Sequence, residues 1–139
     1  MERTNIGDVR AEQLDPAPSL ATLDLSYLSL TEAIPIVCRL LSHEADMLCL
    51  VKPLFEVSDA TIRRTGVIPD ASVYVDVLRA LIKSVREMKL EIRGGTHSHI
   101  TGNGGTHEFF LWVSTTFSGE HKPDVDEEVC KSISRVLHL

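Results

Sequence analysis

The sequence predicts an α/β fold in which an open, mainly parallel sheet ends in an antiparallel hairpin and is flanked by helices. Strand-like apolar runs alternate with helical patterns along the chain, in the order β-α-β-α-β-β-α. Strands that are joined through helices lie parallel and are linked by right-handed crossovers. The last two strands share only a glycine-rich turn, so we expect them to pair antiparallel.

The length and composition indicate one ordinary domain. The chain has 139 residues, 43% of them hydrophobic, and a mean hydropathy of +0.04, which suits a single core. No apolar stretch approaches the roughly 18–20 residues of a spanning helix, and the first residues do not resemble a signal peptide. We therefore expect a cytoplasmic protein with no membrane partner.

The cysteines and the net charge indicate the redox compartment of the protein and the partners it can bind. Cys38, Cys49 and Cys130 are three in number and irregularly spaced, which favours free thiols in a reducing compartment. The net charge of -6 argues against a general nucleic-acid binder. If the chain acts on RNA, we expect another domain or subunit to supply the basic surface.

The first strand and helix are predicted between residues 20 and 43. Leu20–Leu25 is a short apolar run that ends beside an aspartate. Ser29 and Glu32 have the spacing of a capping box, which predicts a helix from there to about His43. The next run, Met47–Val51, shows no alternation, which predicts a parallel strand buried on both faces.

In the second half of the chain, proline, glycine and capping residues mark the predicted ends of helices, strands and turns. The predicted segments are a polar loop over 53–69, a helix capped at Asp70 and running to about Lys89, a strand that begins with Leu90–Arg93, a turn over 100–106, a strand over Glu108–Phe117, and an amphipathic helix over 123–139. Acidic residues open that last helix, where the helix dipole favours them, namely Asp124, Asp126, Glu127 and Glu128.

Three charged residues are predicted to meet at one rim of the sheet. Asp24 closes the first strand, Lys52 closes the second, and Glu108 opens the last. If the last strand is antiparallel to the others, its beginning lies where the parallel strands end, which is where sites form in open α/β sheets. A lysine between two carboxylates is suited to steering the proton of a hydroxyl group.

Structural explanations compete with this catalytic one. Asp24 could cap a turn, Lys52 could extend to solvent, and Glu108 could be an edge charge that discourages aggregation. Pro53 favours the catalytic interpretation, because it stops the strand and biases Lys52 toward extended backbone.

Metal and phosphate sites are weaker possibilities. His97, His99 and His107 lie close in sequence, but no cysteine or carboxylate has a zinc-like spacing with them, so no metal is predicted. Gly102–Gly105 lacks the phosphate-binding glycine motifs and is better explained as a hairpin turn. The arginines at 63–64 could touch phosphate, although a solvated loop is the better explanation.

Several segments together resemble the hemolysin-A-type (TlyA) proteins, which are FtsJ-like S-adenosylmethionine-dependent methyltransferases. They read, in the family's order, MERTN, LATLDLSYLSL, LCLVKPLFE, TGVIPDASVYVDVL and ITGNGGTHEFFLWV, and they lie within residues 1 to 113. The DLSYLSL and VKPLFE pieces are the most specific. The resemblance implies a partial Rossmann-like methyltransferase fold.

The resemblance also implies an activity, namely ribose 2′-O-methylation of ribosomal RNA with S-adenosylmethionine as cofactor and no metal. FtsJ-like enzymes use a Lys-Asp-Lys-Glu set. Asp24 matches its aspartate, Lys52 its second lysine and Glu108 its glutamate. The match of Asp24 further implies a contact with the cofactor.

The departures from the family pattern affect what this chain can do. The first lysine, the glycine-rich cofactor motif and the small N-terminal RNA-binding domain have no counterpart in these residues. Leu54 stands where the family often has glutamine, and Thr106 and His107 replace a usual asparagine-containing approach to the glutamate.

We therefore expect the C-terminal half of a methyltransferase domain that is inactive alone. The alternative is a non-catalytic protein-interaction domain that retains the methyltransferase sheet. In the complete fold the Leu20–Leu25 strand pairs with a cofactor-binding strand. Here we expect its edge to be open and to favour homo-oligomers or marginal stability.

Overall fold

The fold, taken from a computed structural model, is the predicted α/β class, and the structure describes residues 1–117, 119 and 123–136. After an N-terminal segment with two single 3-10 turns, the elements are β1 (Leu20–Leu23), α1 (Leu30–Cys38), β2 (Asp46–Val51), α2 (Pro53–Glu56), α3 (Ala60–Thr65), α4 (Ala71–Glu87), β3 (Glu91–His97), β4 (Phe109–Ser114) and α5 (Pro123–Val136).

The four strands form one sheet in the order β1-β2-β4-β3. β1 and β2 pair in parallel, and β4 pairs antiparallel with both β2 and β3. The predicted parallel pair and the predicted hairpin are therefore confirmed. The hairpin also inserts β4 between β2 and β3, so three strands point one way and β4 points the other.

The three longer helices cover the same face of the sheet. α1 contacts α4, α4 contacts α5, and α4 and α5 both contact β3. Met47, Cys49 and Val51 of β2 point to this face and are completely buried. On the opposite face Leu48 is 42% exposed and Trp112 of β4 is 44% exposed. The prediction that β2 is buried on both faces is therefore wrong, because the described helices pack on one side only.

α1 is shorter than predicted and is capped differently. It ends at Cys38 rather than near His43, because the amide of Ser42 leaves the helical pattern and donates to the carbonyl of Pro18 at 2.8 Å. Ser29 is the N-cap, as predicted, and accepts from the amide of Thr31 at 3.1 Å. Among the described contacts, the carboxylate that meets this helix end belongs to Glu56 and not to Glu32.

Residues 53–69 contain two short helices, so the prediction of a loop is wrong there. Pro53 occupies the first turn of α2, where its fixed φ suits a helix and its missing amide hydrogen costs nothing. The side chain of Asp59 accepts from the amides of Thr61 and Ile62 at the start of α3. Gly66 ends α3 with a φ of +69°, the left-handed conformation that glycine adopts easily.

The later elements follow the predicted order with shifted ends. Asp70 caps α4 by accepting from the amide of Ser72 at 2.7 Å, as predicted, and the helix ends at Glu87. β3 begins at Glu91, within the stretch where a strand was predicted to begin, and ends at His97, with an irregularity in its pairing between Ile92 and Gly94. β4 is shorter than predicted at both ends.

α5 begins at the predicted proline and is described as far as Val136. Its predicted continuation over 137–139 lies outside the described residues, as do the side chains of Asp124 and Asp126. The side chain of Glu127 pairs with Lys131 one turn later at 2.8 Å.

The cysteines are free thiols in the structure. Cys49 is buried in the core, and burial, with smaller contributions from Cys38 and Glu56, raises the pKa of its thiol to about 12. Cys38 and Cys130 are partly exposed. None of the described helices combines the length and apolar character that crossing a membrane requires.

Candidate functional site

The candidate site lies at the edge of the sheet where β1 and β2 end and β4 begins. Val51, the last residue of β2, pairs with Phe109, the first residue of β4. Leu23, the last residue of β1, pairs with Cys49 of β2. Asp24, Lys52 and Glu108 are the next residues outward from these termini, so the register brings all three predicted site residues to one rim.

Lys52 and Asp24 form an ion pair across the ends of β1 and β2. The Lys52 Nζ atom lies 2.5 Å from Asp24 Oδ1, and the two side chains are 19% and 70% exposed. Nζ also donates to the hydroxyl of Ser26 at 3.4 Å. Lys52 is thus held along the rim, and the competing idea that it extends freely into solvent is wrong.

Glu108 faces the same cavity as Lys52. The cavity measures about 220 Å³ and is lined by Ser26, Tyr27, Lys52, Pro53, Leu54, Phe55, Thr106 and Glu108. Burial raises the pKa of the Glu108 carboxyl, the positive charge of Lys52 lowers it, and the negative charge of Asp24 raises it. The three charges therefore act on one another electrostatically.

The chain around Glu108 is held by backbone and side-chain contacts. The Glu108 carbonyl accepts from the amide of Ser98 at 2.8 Å. The amide of His107 donates to the hydroxyl of Tyr74 on α4 at 3.3 Å, and the Tyr74 ring meets the His107 ring edge-on at 5.6 Å. These contacts tie the start of β4 to β3 and α4.

Gly102 gives the Glu108 carboxylate its space. A Cβ atom at residue 102 would lie 2.4 Å from Glu108 Oε1 and 2.9 Å from Thr106 Oγ1. The amide of Gly102 donates to the carbonyl of Thr106 at 2.8 Å, which closes the loop. The glycine-rich segment is thus the turn of a hairpin, as predicted, and it also shapes the site.

Two aromatic residues at the mouth of the cavity were not among the predicted site residues. Tyr27 is 92% exposed and adopts a φ of +67°, a conformation that non-glycine residues seldom take. Its ring contacts Phe55 with centroids 5.1 Å apart. Each aromatic residue comes three positions after a charged one, Asp24 or Lys52, and that shared spacing is a signal available in the sequence.

The histidines and arginines that were considered for metal or phosphate binding lie outside the rim formed by Asp24, Lys52 and Glu108. His97 and His99 pack edge-on at 4.6 Å, and the described residues contain no group of three potential metal ligands. Arg63 and Arg64 occupy the last turn of α3.

A larger groove lies beside α4 and measures about 460 Å³. Its described lining is apolar and acidic, with Val57, Ile62 and Val73 beside Glu56 and Asp59, and includes no basic side chain. Such a lining is unsuited to a phosphate backbone. The smaller cavity beside Lys52 is therefore the better candidate.

The sequence has relatives among curated proteins. It is 31% identical over 139 residues to YqxC of Bacillus subtilis, which is named as an rRNA methyltransferase, and the match covers 99% of this chain and 50% of YqxC. It is 31% identical over 115 residues to TlyA of Mycobacterium tuberculosis, named as a 16S/23S rRNA (cytidine-2′-O)-methyltransferase, covering 83% of this chain and 43% of TlyA. The chain is related to TlyA and hemolysin-like proteins.

Solved structures of hemolysin-like proteins share this fold. A hemolysin-like protein from Lactococcus lactis superimposes with a TM-score of 0.82 at 25% identity, covering 96% of this chain and 65% of the other. A second, from Streptococcus thermophilus, has a TM-score of 0.79 at 23% identity, which supports the fold alone. No family model matches the sequence. The chain spans about half the length of the curated relatives it matches.

Proposed function

We propose that this chain is the C-terminal part of an S-adenosylmethionine-dependent rRNA ribose 2′-O-methyltransferase, and that it is inactive alone. The observation that carries the proposal is the rim where Lys52 pairs with Asp24 and shares a cavity with Glu108. Relatives that are named as rRNA methyltransferases support the same activity. Their greater length supports the view that this chain supplies only part of the active protein.

Lys52 is the proposed centre of the reaction. A ribose hydroxyl is a poor nucleophile, so a neighbouring group must hold it in line and help to remove its proton. Asp24 fixes the Lys52 amine, which orients the hydroxyl. Burial raises the pKa of the Glu108 carboxyl and makes its carboxylate a stronger base. We therefore propose that Glu108 accepts the proton of the ribose hydroxyl.

S-adenosylmethionine, when bound, supplies an electrophilic methyl group on a positively charged sulfur. The Asp24 carboxylate fits a contact with such a cationic ligand, because it is 70% exposed and follows β1, the edge strand of the sheet. The rest of the cofactor pocket would come from residues outside this chain.

Ribosomal RNA is the proposed substrate of the full protein, which would act in the cytoplasm. The net charge of -6 means that this chain is repelled by phosphate at long range. A further domain or subunit would therefore provide the basic surface that holds RNA.

The proposal is tested by a chimera in which this chain replaces the matching half of YqxC. We expect methylation of rRNA riboses by the chimera, detected by mass spectrometry of digested RNA. The variant Lys52→Met removes the amine and keeps the side-chain length, so it should abolish methylation. The control Lys83→Met changes an exposed lysine of α4 whose carboxylate neighbour, Glu87, lies 3.9 Å away. A chimera that binds cofactor but methylates equally well with Lys52→Met contradicts the assignment.

Inactivity of the isolated chain is tested by calorimetric titration with S-adenosylmethionine. We expect no tight binding by this chain, because Asp24 is the only cofactor contact assigned to it. Tight binding would refute the claim that the chain is incompetent by itself.

The second candidate is a non-catalytic protein-interaction domain, and the exposed apolar face of the sheet favours it. Leu48 and Trp112 are both more than two-fifths exposed there and are direct partners across β2 and β4, and neighbouring exposed apolar side chains can mark an interaction surface. Unchanged methylation by a Lys52 variant of the chimera would favour this role. We also propose self-association of the chain through the β1 edge, whose Leu20 is exposed.

A further inference from the structure

Glu56 joins two segments that are distant in sequence. It is the last residue of α2, the short helix that starts directly after Lys52. One carboxylate oxygen accepts from the amide of Leu30 at 2.8 Å, and the other accepts from the hydroxyl of Ser29 at 2.8 Å. Both donors lie at the start of α1, so the contacts link the segment after β2 to the segment after β1.

The two segments are joined by several contacts along their length, which include the hydrogen bond from Lys52 to Ser26 at 3.4 Å. The Asp24–Lys52 ion pair lies nearest the sheet, and the Tyr27–Phe55 ring contact follows at 5.1 Å. The Glu56 hydrogen bonds to Ser29 and Leu30 close the far end. Residues 24–30 and 52–56 therefore run side by side, with a charged pair at one end and a hydrogen-bonded carboxylate at the other.

The segment after β1 needs such support. Tyr27 has a φ of +67°, a conformation that non-glycine residues seldom take, and its side chain is almost fully exposed. Its described ring contact is Phe55, the neighbour of Glu56. A carboxylate that anchors both Ser29 and Leu30 limits how far this segment can move away from Lys52.

We propose that Glu56 is a positioning residue that holds the Asp24 and Lys52 segments in register. Its importance for methyl transfer rests on the proposed function, but its effect on the two segments does not. Glu56 does not line the cavity that Lys52 and Glu108 share, so it acts through the segments and not on reacting atoms. The competing role is that of a simple cap, which would stabilise α1 and leave residues 24–27 unaffected.

The hydrogen bonds themselves can be checked by NMR on the full 139-residue chain. Burial raises the pKa of Glu56, the bonds from Leu30 and Ser29 lower it, and the negative charge of Glu32 raises it. The Leu30 amide should therefore shift with a midpoint above the ordinary glutamate pKa. Glu56→Gln should abolish that titration, and Glu32→Gln should keep it but move its midpoint down.

The deciding experiment compares Glu56→Ala with Glu32→Gln in the same chain. Glu32 is an exposed carboxylate in the first turn of α1, so its removal changes the charge at this helix end without cutting the link. In Glu56→Ala we expect loss of the Tyr27–Phe55 ring NOEs, loss of the strong intraresidue amide–Hα NOE of Tyr27, and loss of the protected Lys52 ammonium signal. Glu32→Gln should retain all three.

The proposal is overturned if Glu56→Ala retains these three signals, even when it lowers the melting temperature. If Glu56→Ala does not fold, Glu56→Gln and Ser29→Ala decide by the same criterion. Glu56→Gln keeps only one of the two acceptor oxygens, and Ser29→Ala removes the hydroxyl that donates to Glu56 together with its cap of the Thr31 amide. These signals do not depend on methylation, so an inactive chimera would defeat the proposed function and leave the conclusion on Glu56 intact.

Discussion

At the scale of single residues, Gly102 and Glu108 illustrate how closely the site is packed. The backbone of Gly102 has a φ of -72°, which any residue can adopt. The need for glycine is therefore steric and comes from the Glu108 carboxylate and the Thr106 hydroxyl beside it. A larger side chain would have to push one or both of them away.

We predict that Gly102→Ala displaces the Glu108 carboxylate with little loss of stability. The new methyl group would meet the ends of side chains, which can rotate, and not backbone. Carboxyl-carbon NMR should show a changed titration of Glu108, and methylation by the chimera should fall. Gly94→Ala is the control, because no neighbouring atom lies within 4 Å of its added Cβ. An unchanged Glu108 titration in Gly102→Ala would show that the contact is absent.

The raised pKa of Glu108 predicts how the stability of the folded chain depends on pH. Burial raises its pKa in the folded chain above that of the unfolded chain. The folded state then binds the proton more tightly, so the contribution of Glu108 to stability is fully present below the unfolded pKa and is lost as pH rises through the folded pKa.

We therefore predict the pH dependence of the difference in unfolding free energy between wild type and Glu108→Gln. The difference should fall as pH rises between those two pKa values and should be constant below the lower one. Urea denaturation at a series of acidic pH values measures it. A difference that grows with pH in this window would reverse the assigned sign.

At the scale of elements, β3 and α5 approach closely because Gly95 has no side chain. An added Cβ would lie 2.9 Å from a methyl carbon of the buried Val129 on α5 and 3.0 Å from the carbonyl oxygen of Phe110 on β4. The helix can pack against this end of the sheet only if that position stays empty.

We predict that Gly95→Ala lowers the free energy of unfolding by about 1–3 kcal/mol, as is typical of overpacking. The double variant Gly95→Ala/Val129→Ala should recover part of the loss relative to the sum of its single variants, because it removes the methyl clash and leaves the carbonyl contact. Gly94→Ala should be neutral or slightly stabilising. Additive effects in the double variant would exclude direct contact between the two positions.

Most elements could be predicted from the sequence because their signals are local. The Asp70 cap and the helix after it depend on residues a few positions apart, and the structure confirms them. The prediction omits α2 and α3, although Asp59 and Gly66 carry cap signals for α3, since helices of four and six residues are too short to show an apolar stripe. The capping box of α1 is half predicted: Ser29 is the N-cap, but the carboxylate that meets this helix end is not Glu32 but Glu56, 26 residues from Leu30.

At the scale of the whole molecule, one edge of the sheet meets the face on which none of the described helices packs. β1 is one of the two edge strands, its Leu20 is exposed, and Leu48 of the next strand is exposed on that face. Unpaired strand edges next to apolar surface favour association between chains.

We predict that the isolated chain self-associates and that Leu20→Lys weakens the association, because a lysine at a strand edge opposes strand pairing. Sedimentation velocity over a range of micromolar concentrations measures it. Val67→Lys is the control, since Val67 is comparably exposed and lies between α3 and α4, away from the sheet. A wild-type chain that remains a monomer over the whole range would refute the prediction.

The sequence by itself determined the order of the main elements and the meeting of Asp24, Lys52 and Glu108. The two parallel strands end at one edge of the sheet, and the antiparallel strand of the hairpin begins at that same edge. Residues directly beyond these three strand ends therefore have to lie close together. The tertiary structure alone decided that β4 lies between β2 and β3, that the described helices cover one face, and that Glu56 meets Ser29 and Leu30. The apolar run of β2 lacks the alternation that would indicate one open face, and local patterns do not show which distant segment supplies a partner, because such contacts depend on how the elements pack.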